Sequence, residues 1–367
     1  MKPISKVLTD RLQQRDQTNS LRKLQAQNSQ VDFSSNDYLG FARSSELFDR
    51  THQLLVETNM KSNGATGSRL LSGNHKIYTE TENFIATFHQ SEAALIFNSG
   101  YDANLGLFSS LPQKGDTILY DELVHASVRD GIRLSFAKAF SFKHSDVTDL
   151  EKKLQKAEGT VFVAVESLYS MDGDLAPLKE ISELCTKYDA LLIVDEAHSG
   201  GVFGEEGKGL CHELEIPESV FIRLFTFGKA YGAHGAVVCC SGEVRKFLVN
   251  FARSFIYTTA LPEAMYTHML QQVERSKPDR LRAQLQENIA HFTREFQSTL
   301  SSERSPIQIL EYSDLEHCTS KAQQLQDAGF AVKAILPPTV PAGSQRLRIC
   351  LHAFNTKAEI NQLIALL

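Results

Sequence analysis

Short apolar runs that alternate with amphipathic segments constrain this chain most. Six runs, at 94–97, 117–120, 160–165, 190–194, 220–226 and 236–240, read as strands. Helix candidates lie between them. One spans 75–89, with Ile77, Phe84, Ile85 and Phe88 on one side. A second spans 148–156, after a cap at Asp146, and a third spans 177–188, with Leu178, Ile181 and Leu184 at helical spacing. Helix-length connections between strands favour parallel βαβ units. Leu191-Leu192-Ile193-Val194 is apolar at every position, not every second one, which suits a sheet covered on both faces. The expected class is α/β, with a mostly parallel sheet in a large domain.

The pattern changes after residue 262. A long polar helical stretch, around 263–300, leads to a shorter α/β region that ends in a helix at 357–367. The expected division is an N-terminal segment (1–35, with a helix around Val7, Leu8 and Leu12), a large domain (36–270) and a small C-terminal domain (271–367). Two domains also suit a length of 367 residues.

Composition narrows the function classes. Thirty-eight basic residues stand against 44 acidic ones, for a net charge of −6. A binder of nucleic-acid backbones usually carries a basic excess. The six cysteines form no Cys-x-x-Cys pair, and Cys239-Cys240 sits inside an apolar run. A reducing compartment, hence the cytoplasm, is the simplest expectation. The first twenty residues are polar and charged, and no window approaches about 18 consecutive apolar residues. Neither a secretory leader nor a membrane span is expected.

In doubly wound sheets, ligands bind beyond the carboxyl ends of the strands, so the residues after each run matter. After 94–97 comes Asn98-Ser99-Gly100-Tyr101-Asp102-Ala103-Asn104. A Ser-Gly turn opening a helix is either a plain connection or a phosphate site made of free backbone N–H groups. After 190–194 comes Asp195-Glu196-Ala197-His198. Asp195 is either a helix cap or a partner for a protonated heterocycle nitrogen. A metal reading of Asp195 with His198 lacks a further ligand at suitable spacing. After 220–226 comes Phe227-Gly228-Lys229. A lysine at the end of an apolar strand is either a snorkelling surface group or a desolvated amine fit for nucleophilic or base chemistry. Three rival signatures are missing: Gly-x-Gly-x-x-Gly, a Walker glycine five residues before either Gly-Lys pair, and Gly-x-Ser-x-Gly.

A phosphate-cradling helix start, an acid after one strand and a lysine one βα unit later together resemble the fold-type I enzymes that use pyridoxal phosphate (PLP). Asn36-Asp37-Tyr38-Leu39-Gly40, Asp121-Glu122-Leu123-Val124-His125-Ala126-Ser127, Ser170-Met171-Asp172-Gly173-Asp174, Asp195-Glu196-Ala197-His198 and Thr226-Phe227-Gly228-Lys229 are similar to segments of the α-oxoamine synthases. That family joins an amino acid to an acyl thioester and releases carbon dioxide. The segments at 251–262 and 337–343 most resemble members that use L-alanine and a pimeloyl thioester, as pimeloyl-CoA or pimeloyl carrier protein, in biotin biosynthesis.

The resemblance implies roles residue by residue. Lys229 would link covalently to PLP, Asp195 would pair with its ring nitrogen, His125 would stack on the ring, and His198 would contact the phenolic oxygen. Gly100, Tyr101, Ser170 and Thr226 would hold ring and phosphate. Asn36 and Arg348, with His125, would bind substrate near its carboxylate, and Arg22 and Thr339 would lie near the acyl group. The resemblance also implies a homodimer with the site between subunits, Thr258 and Thr259 reaching the partner's phosphate. Other α-oxoamine synthases, such as a glycine C-acetyltransferase or a longer-chain condensing enzyme, are alternatives within the family. A non-catalytic subunit of the same fold is the alternative outside enzymes, but it would be expected to lack Lys229.

Overall fold

The computed structural model describes residues 4–17, 20–22, 24, 29–296 and 300–367. A short strand β1 (Val31–Asp32) precedes the seven strands of the central sheet: β2 (Ala93–Phe97), β3 (Thr117–Asp121), β4 (Lys138–Phe142), β5 (Val161–Glu166), β6 (Leu191–Asp195), β7 (Ile222–Thr226) and β8 (Ala236–Cys240). Their order is β2-β8-β7-β6-β5-β3-β4. Only β8 runs against its neighbours, and the other six point the same way. The expectation of a mostly parallel sheet holds. Every residue of β5 is buried, as the apolar run that fills all but its last position requires of a strand covered on both faces.

Alternate side chains feed opposite layers. Ile118, Phe162, Ile193 and Leu224 pack under the helices Gly100–Ser110, Ala126–Arg133 and Gly242–Phe251 through Leu107, Val128 and Leu248. Leu119, Val163, Leu192 and Val194 pack under Val147–Leu154 and Leu178–Lys187 through Leu150 and Ile181. Asp146 caps the helix Val147–Leu154 by accepting from the Asp149 N–H, as the sequence suggests. All six cysteines are buried and free. Among the described residues no helix is long and apolar enough to cross a membrane.

Two features depart from the sequence reading. β4 was not anticipated, because it is an edge strand with Lys138, Phe140 and Ser141 exposed and only Phe142 buried. The polar stretch after 262 is two helices, Glu263–Ser276 and Arg280–Glu295, instead of one. Pro278 lies between them and supplies no backbone N–H to continue the first helix.

The remaining strands are β9 (Ile307–Tyr312), β10 (Phe330–Ala331), β11 (Lys333–Ile335) and β12 (Gln345–Cys350). β12 lies between β11 and β9 in an antiparallel sheet, and β10 pairs with β1. Ile309, Leu347 and Ile349 join the same apolar core as β5 and β6, so no solvent layer separates the two sheets.

The connection from β7 to β8, residues 227–235, is a tight loop and not a helical crossover. Gly232 takes a left-handed backbone with φ +60° there, and a Cβ on it would collide with the backbone of Phe41 and Ala42.

A charged strut holds the loop at 170–174. His144 lies between Asp121 at the end of β3 (Nδ1 to Oδ1, 3.0 Å) and Asp174 (Nε2 to Oδ2, 2.8 Å). Burial disfavours the imidazolium, but hydrogen bonds to both carboxylates prevail and push its pKa up to about 10. The folded protein therefore keeps a proton that the unfolded chain releases near pH 6.5. The resulting stabilisation is complete below about pH 6.5, declines as pH rises, and is lost above about 10. Urea unfolding from pH 6 to 10 should show this decline in the wild type and a flatter profile in His144→Asn. Equal slopes would remove His144 as its source.

Candidate active site

The carboxyl ends of β2, β3, β5, β6 and β7 converge on one cavity of about 250 Å³. The last residue of β5 is Glu166, the last of β6 is Asp195 and the last of β7 is Thr226. Glu166 and Asp195 are register partners on adjacent parallel strands. Lys229 enters from the β7–β8 loop, His125 from the turn after β3, and His198 from the turn after β6. Gly100 and Tyr101 open the helix that follows β2. Of the residues singled out in the sequence, the cavity is lined by Gly100, Tyr101, His125, Asp195, His198, Thr226 and Lys229.

Asp195 is almost completely buried, and its carboxylate is held from two sides. Oδ2 accepts from Asn104 Nδ2 at 2.9 Å and Oδ1 accepts from the Ala197 N–H at 3.0 Å. The second amide proton of Asn104 goes to Ser127 Oγ at 3.1 Å. Ser127 Oγ lies 2.7 Å from His125 Nδ1, which also accepts from the Ser127 N–H and so caps the helix Ala126–Arg133. His125 thus both caps a helix and lines the cavity. Its ring stands edge-on to Tyr101, whose hydroxyl is tied to Asp130.

The amine of Lys229 makes no hydrogen bond or ion pair among the described residues. Desolvation by the surrounding protein, opposed by the charges of Asp195 and Glu166, pushes its pKa down to about 8. Glu166 is buried, with Oε1 unpartnered. Its burial and the nearby Asp195 charge push it up to about 8. His125 is held below the ordinary histidine range, by desolvation first and by Lys229 as well, against the pull of Asp195. His198 is pushed well below that range by burial and by the charges of Lys229, Arg348 and His125.

The cavity has the parts a phosphorylated aromatic aldehyde needs. An unpaired amine of lowered pKa is available for a covalent link, a buried carboxylate faces the same space, and an imidazole is open on one side. Ser99 caps the helix Gly100–Ser110, leaving its first N–H groups at the cavity wall. A Cβ on Gly100 would come within 2.6 Å of Thr226 Cγ2, so only glycine keeps that corner open.

The other expected residues lie around this centre. Arg348, on β12, donates from Nη2 to Asn36 Oδ1 at 3.0 Å and from Nε to the Ser170 carbonyl at 2.6 Å. The strand alternation there leaves a solvent-facing arginine possible, but Arg348 is buried. Ser170 is outside the cavity lining and anchors Arg348 through its backbone. Arg22 donates to Thr339 Oγ1 at 3.4 Å, which brings those two together at the surface. Thr258 and Thr259 are held by Asn98, whose Nδ2 reaches Thr258 Oγ1 at 3.0 Å and the Thr259 carbonyl at 2.9 Å.

Four groups of this site escaped the sequence reading: Glu166, Asn104, Ser127 and Tyr38. The Tyr38 hydroxyl lies 2.8 Å from His198 Nδ1. Asn104 and Tyr38 stand inside segments already singled out, and Glu166 ends a strand one residue past the expected 160–165.

A family model described as "Aminotransferase class I and II" matches residues 28–367, and the chain belongs to that family. Within it, the chain is 40% identical over 97% of its length to the 8-amino-7-oxononanoate synthase of Emericella nidulans, covering 93% of that protein. The 8-amino-7-oxononanoate synthase structure from Francisella tularensis superposes with a TM-score of 0.79 at 31% identity, over 93% of this chain and 97% of that one. A high-resolution structure of SPT with PLP superposes with a TM-score of 0.90 at 27% identity, over 98% and 96%.

Removing the Asn104 amide leaves one oxygen of a buried carboxylate without its donor, a loss worth about 1–3 kcal/mol. Asn104→Ala should lower the unfolding free energy by that amount in urea titrations. An unchanged midpoint and slope would show that Asn104 does not hold Asp195.

Proposed function

We propose that this chain is a PLP-dependent acyltransferase that condenses L-alanine with a pimeloyl thioester. The products are 8-amino-7-oxononanoate, carbon dioxide and the free thiol, a step of biotin biosynthesis. The observation that carries the reading is the convergence of Lys229, Asp195 and His125 on one cavity in a chain so similar to the Emericella nidulans enzyme.

When bound, PLP supplies an electron sink for the pair released at the amino acid's Cα. The chain supplies binding, orientation and proton movement. Lys229 Nζ would hold the cofactor covalently, and as a free amine, its pKa lowered by burial to about 8, it is suited to taking and returning the Cα proton close to neutral pH. Asp195, fixed by Asn104 and the Ala197 N–H, presents its carboxylate to the ring nitrogen. His125 offers its ring face, and His198 an N–H to the phenolic oxygen. Gly100, Tyr101 and Thr226 hold ring and phosphate, with Ser170 beside them. Arg348 and Asn36 take the substrate carboxylate, and Arg22 and Thr339 lie along the acyl group.

In the same reading, 36–270 is the cofactor domain and 271–367 the small domain, after an N-terminal segment of 1–35. The active unit is a homodimer in the cytoplasm, in which Thr258 and Thr259 serve the partner's phosphate. The structural likeness to SPT favours one second reading, an α-oxoamine synthase with a different amino acid or acyl chain. Alanine, glycine and serine, each assayed with several acyl-CoA thioesters and with pimeloyl carrier protein, separate the two.

Borohydride treatment of the yellow protein should fix one cofactor to Lys229, seen by peptide mass. Lys229→Ala should lose both that adduct and turnover, and an active, trappable variant would overturn the assignment. An ion pair at 4 Å is worth about 4 kcal/mol at an effective dielectric near 20. Asp195→Asn should therefore retain cofactor but turn over about 10³-fold more slowly. Turnover within tenfold of wild type would remove Asp195 from its role.

A further inference from the structure

Arg346, Arg348 and Cys350 follow one another along one face of β12, and all three are buried. The two arginines are treated differently. Arg346 meets two carboxylates, those of Asp172 and Glu311, the latter from Nη2 at 3.0 Å. Arg348 meets no carboxylate among the described residues. Its three nitrogens donate to neutral acceptors from three parts of the chain: Nε to the Ser170 carbonyl at 2.6 Å, Nη1 to Cys350 Sγ at 2.9 Å and Nη2 to Asn36 Oδ1 at 3.0 Å.

A buried cation with no counter-charge is costly, and a planar fork held at all three nitrogens cannot turn to find one. These contacts use three of its five N–H groups. Burial outweighs the neighbouring guanidinium and pushes the Cys350 thiol up, so the sulfur stays a neutral acceptor near pH 7. An acid in its place would answer the charge internally, as Asp172 and Glu311 do for Arg346. The cradle lies against the cavity. Asn36 Oδ1 also accepts from the Tyr38 hydroxyl at 3.2 Å, and the Tyr38 oxygen lies 2.8 Å from Nδ1 of His198, which lines the cavity.

We propose that Cys350 is a positioning residue for substrate binding: its sulfur accepts from Arg348 Nη1 and, with Asn36 and the Ser170 carbonyl, fixes the guanidinium without neutralising it, so that the charge is left for the carboxylate of the amino acid. This deepens the reading above and rests on it, because the anion that completes the cradle is the substrate of that reading.

The test compares Cys350→Ala with Cys350→Ser in the full chain. Both lose the sulfur and are close in size, but only serine keeps an acceptor. Two readouts are taken: kcat and KM for L-alanine with saturating pimeloyl-CoA, and the Kd of propionate, a carboxylate with no amine, by ligand-observed NMR. Cys350→Ala should raise both KM and Kd about fivefold, the worth of one hydrogen bond, with kcat within twofold of wild type. Cys350→Ser should bring KM and Kd back to within twofold. Equal constants in the two variants, whether near wild type or both raised, overturn the proposal, as does a fall in kcat with KM unchanged. Should Cys350→Ala fail to fold, Cys350→Val, nearer to cysteine in size and equally without an acceptor, takes its place. Failure of borohydride to fix PLP to Lys229 in the wild type overturns the cofactor assignment instead, and the propionate constants still decide the role of Cys350.

Discussion

The site depends on bringing three ionisable groups, Asp195, Glu166 and Lys229, to the ends of neighbouring strands with too few protein partners to satisfy them. Burying charge without a partner is costly. Here the backbone leaves little choice: parallel pairing of β5 with β6 puts Glu166 beside Asp195, and the turn from β7 to β8 places Lys229 over the same space. The protein answers Asp195 with an amide and a backbone N–H, and answers Glu166 by raising its affinity for a proton. The lysine is left unanswered. A site kept in this state is prepared for a ligand with a positive ring atom and an electrophilic carbon.

The second sheet contributes at a distance. Arg346 and Arg348 extend from β12 to the loop at 170–174, Arg346 to Asp172 and Arg348 to the Ser170 carbonyl. His144 braces the other side of that loop through Asp174. Two arginines and one histidinium therefore tie the C-terminal sheet to the end of β3, and Arg348 passes the link to Asn36, which also accepts from the Tyr38 hydroxyl. The geometry of the cavity and the seating of the C-terminal residues cannot vary independently.

Much of this was legible in the sequence, for physical reasons. Strands buried on both faces announce themselves by unbroken apolar runs, so β5, β6 and β8 were plain, and the polar residue that ends such a run is conspicuous, as with Asp195. β4 was hidden because an edge strand exposed on one side has no such run. Asn104, Ser127 and Tyr38 were hidden for another reason. Their importance comes from what they touch across 91, 23 and 160 positions of chain respectively, and local pattern carries no trace of that. For Arg348, strand alternation alone also allows a solvent-facing side chain, and the packing of β12 against the loop at 170–174 turns it inward, as its expected place at the site requires.

The loop that carries Lys229, residues 227–235, joins two antiparallel neighbours and is wedged against Phe41 and Ala42 at Gly232. Such a segment has no slack to swing as a hinge. Any travel of the amine between a tethered and a released position must come from rotation about the four carbons of its own side chain, while the peptide chain beneath it stays still. The lever is as long as one lysine, and the anchor is the sheet itself.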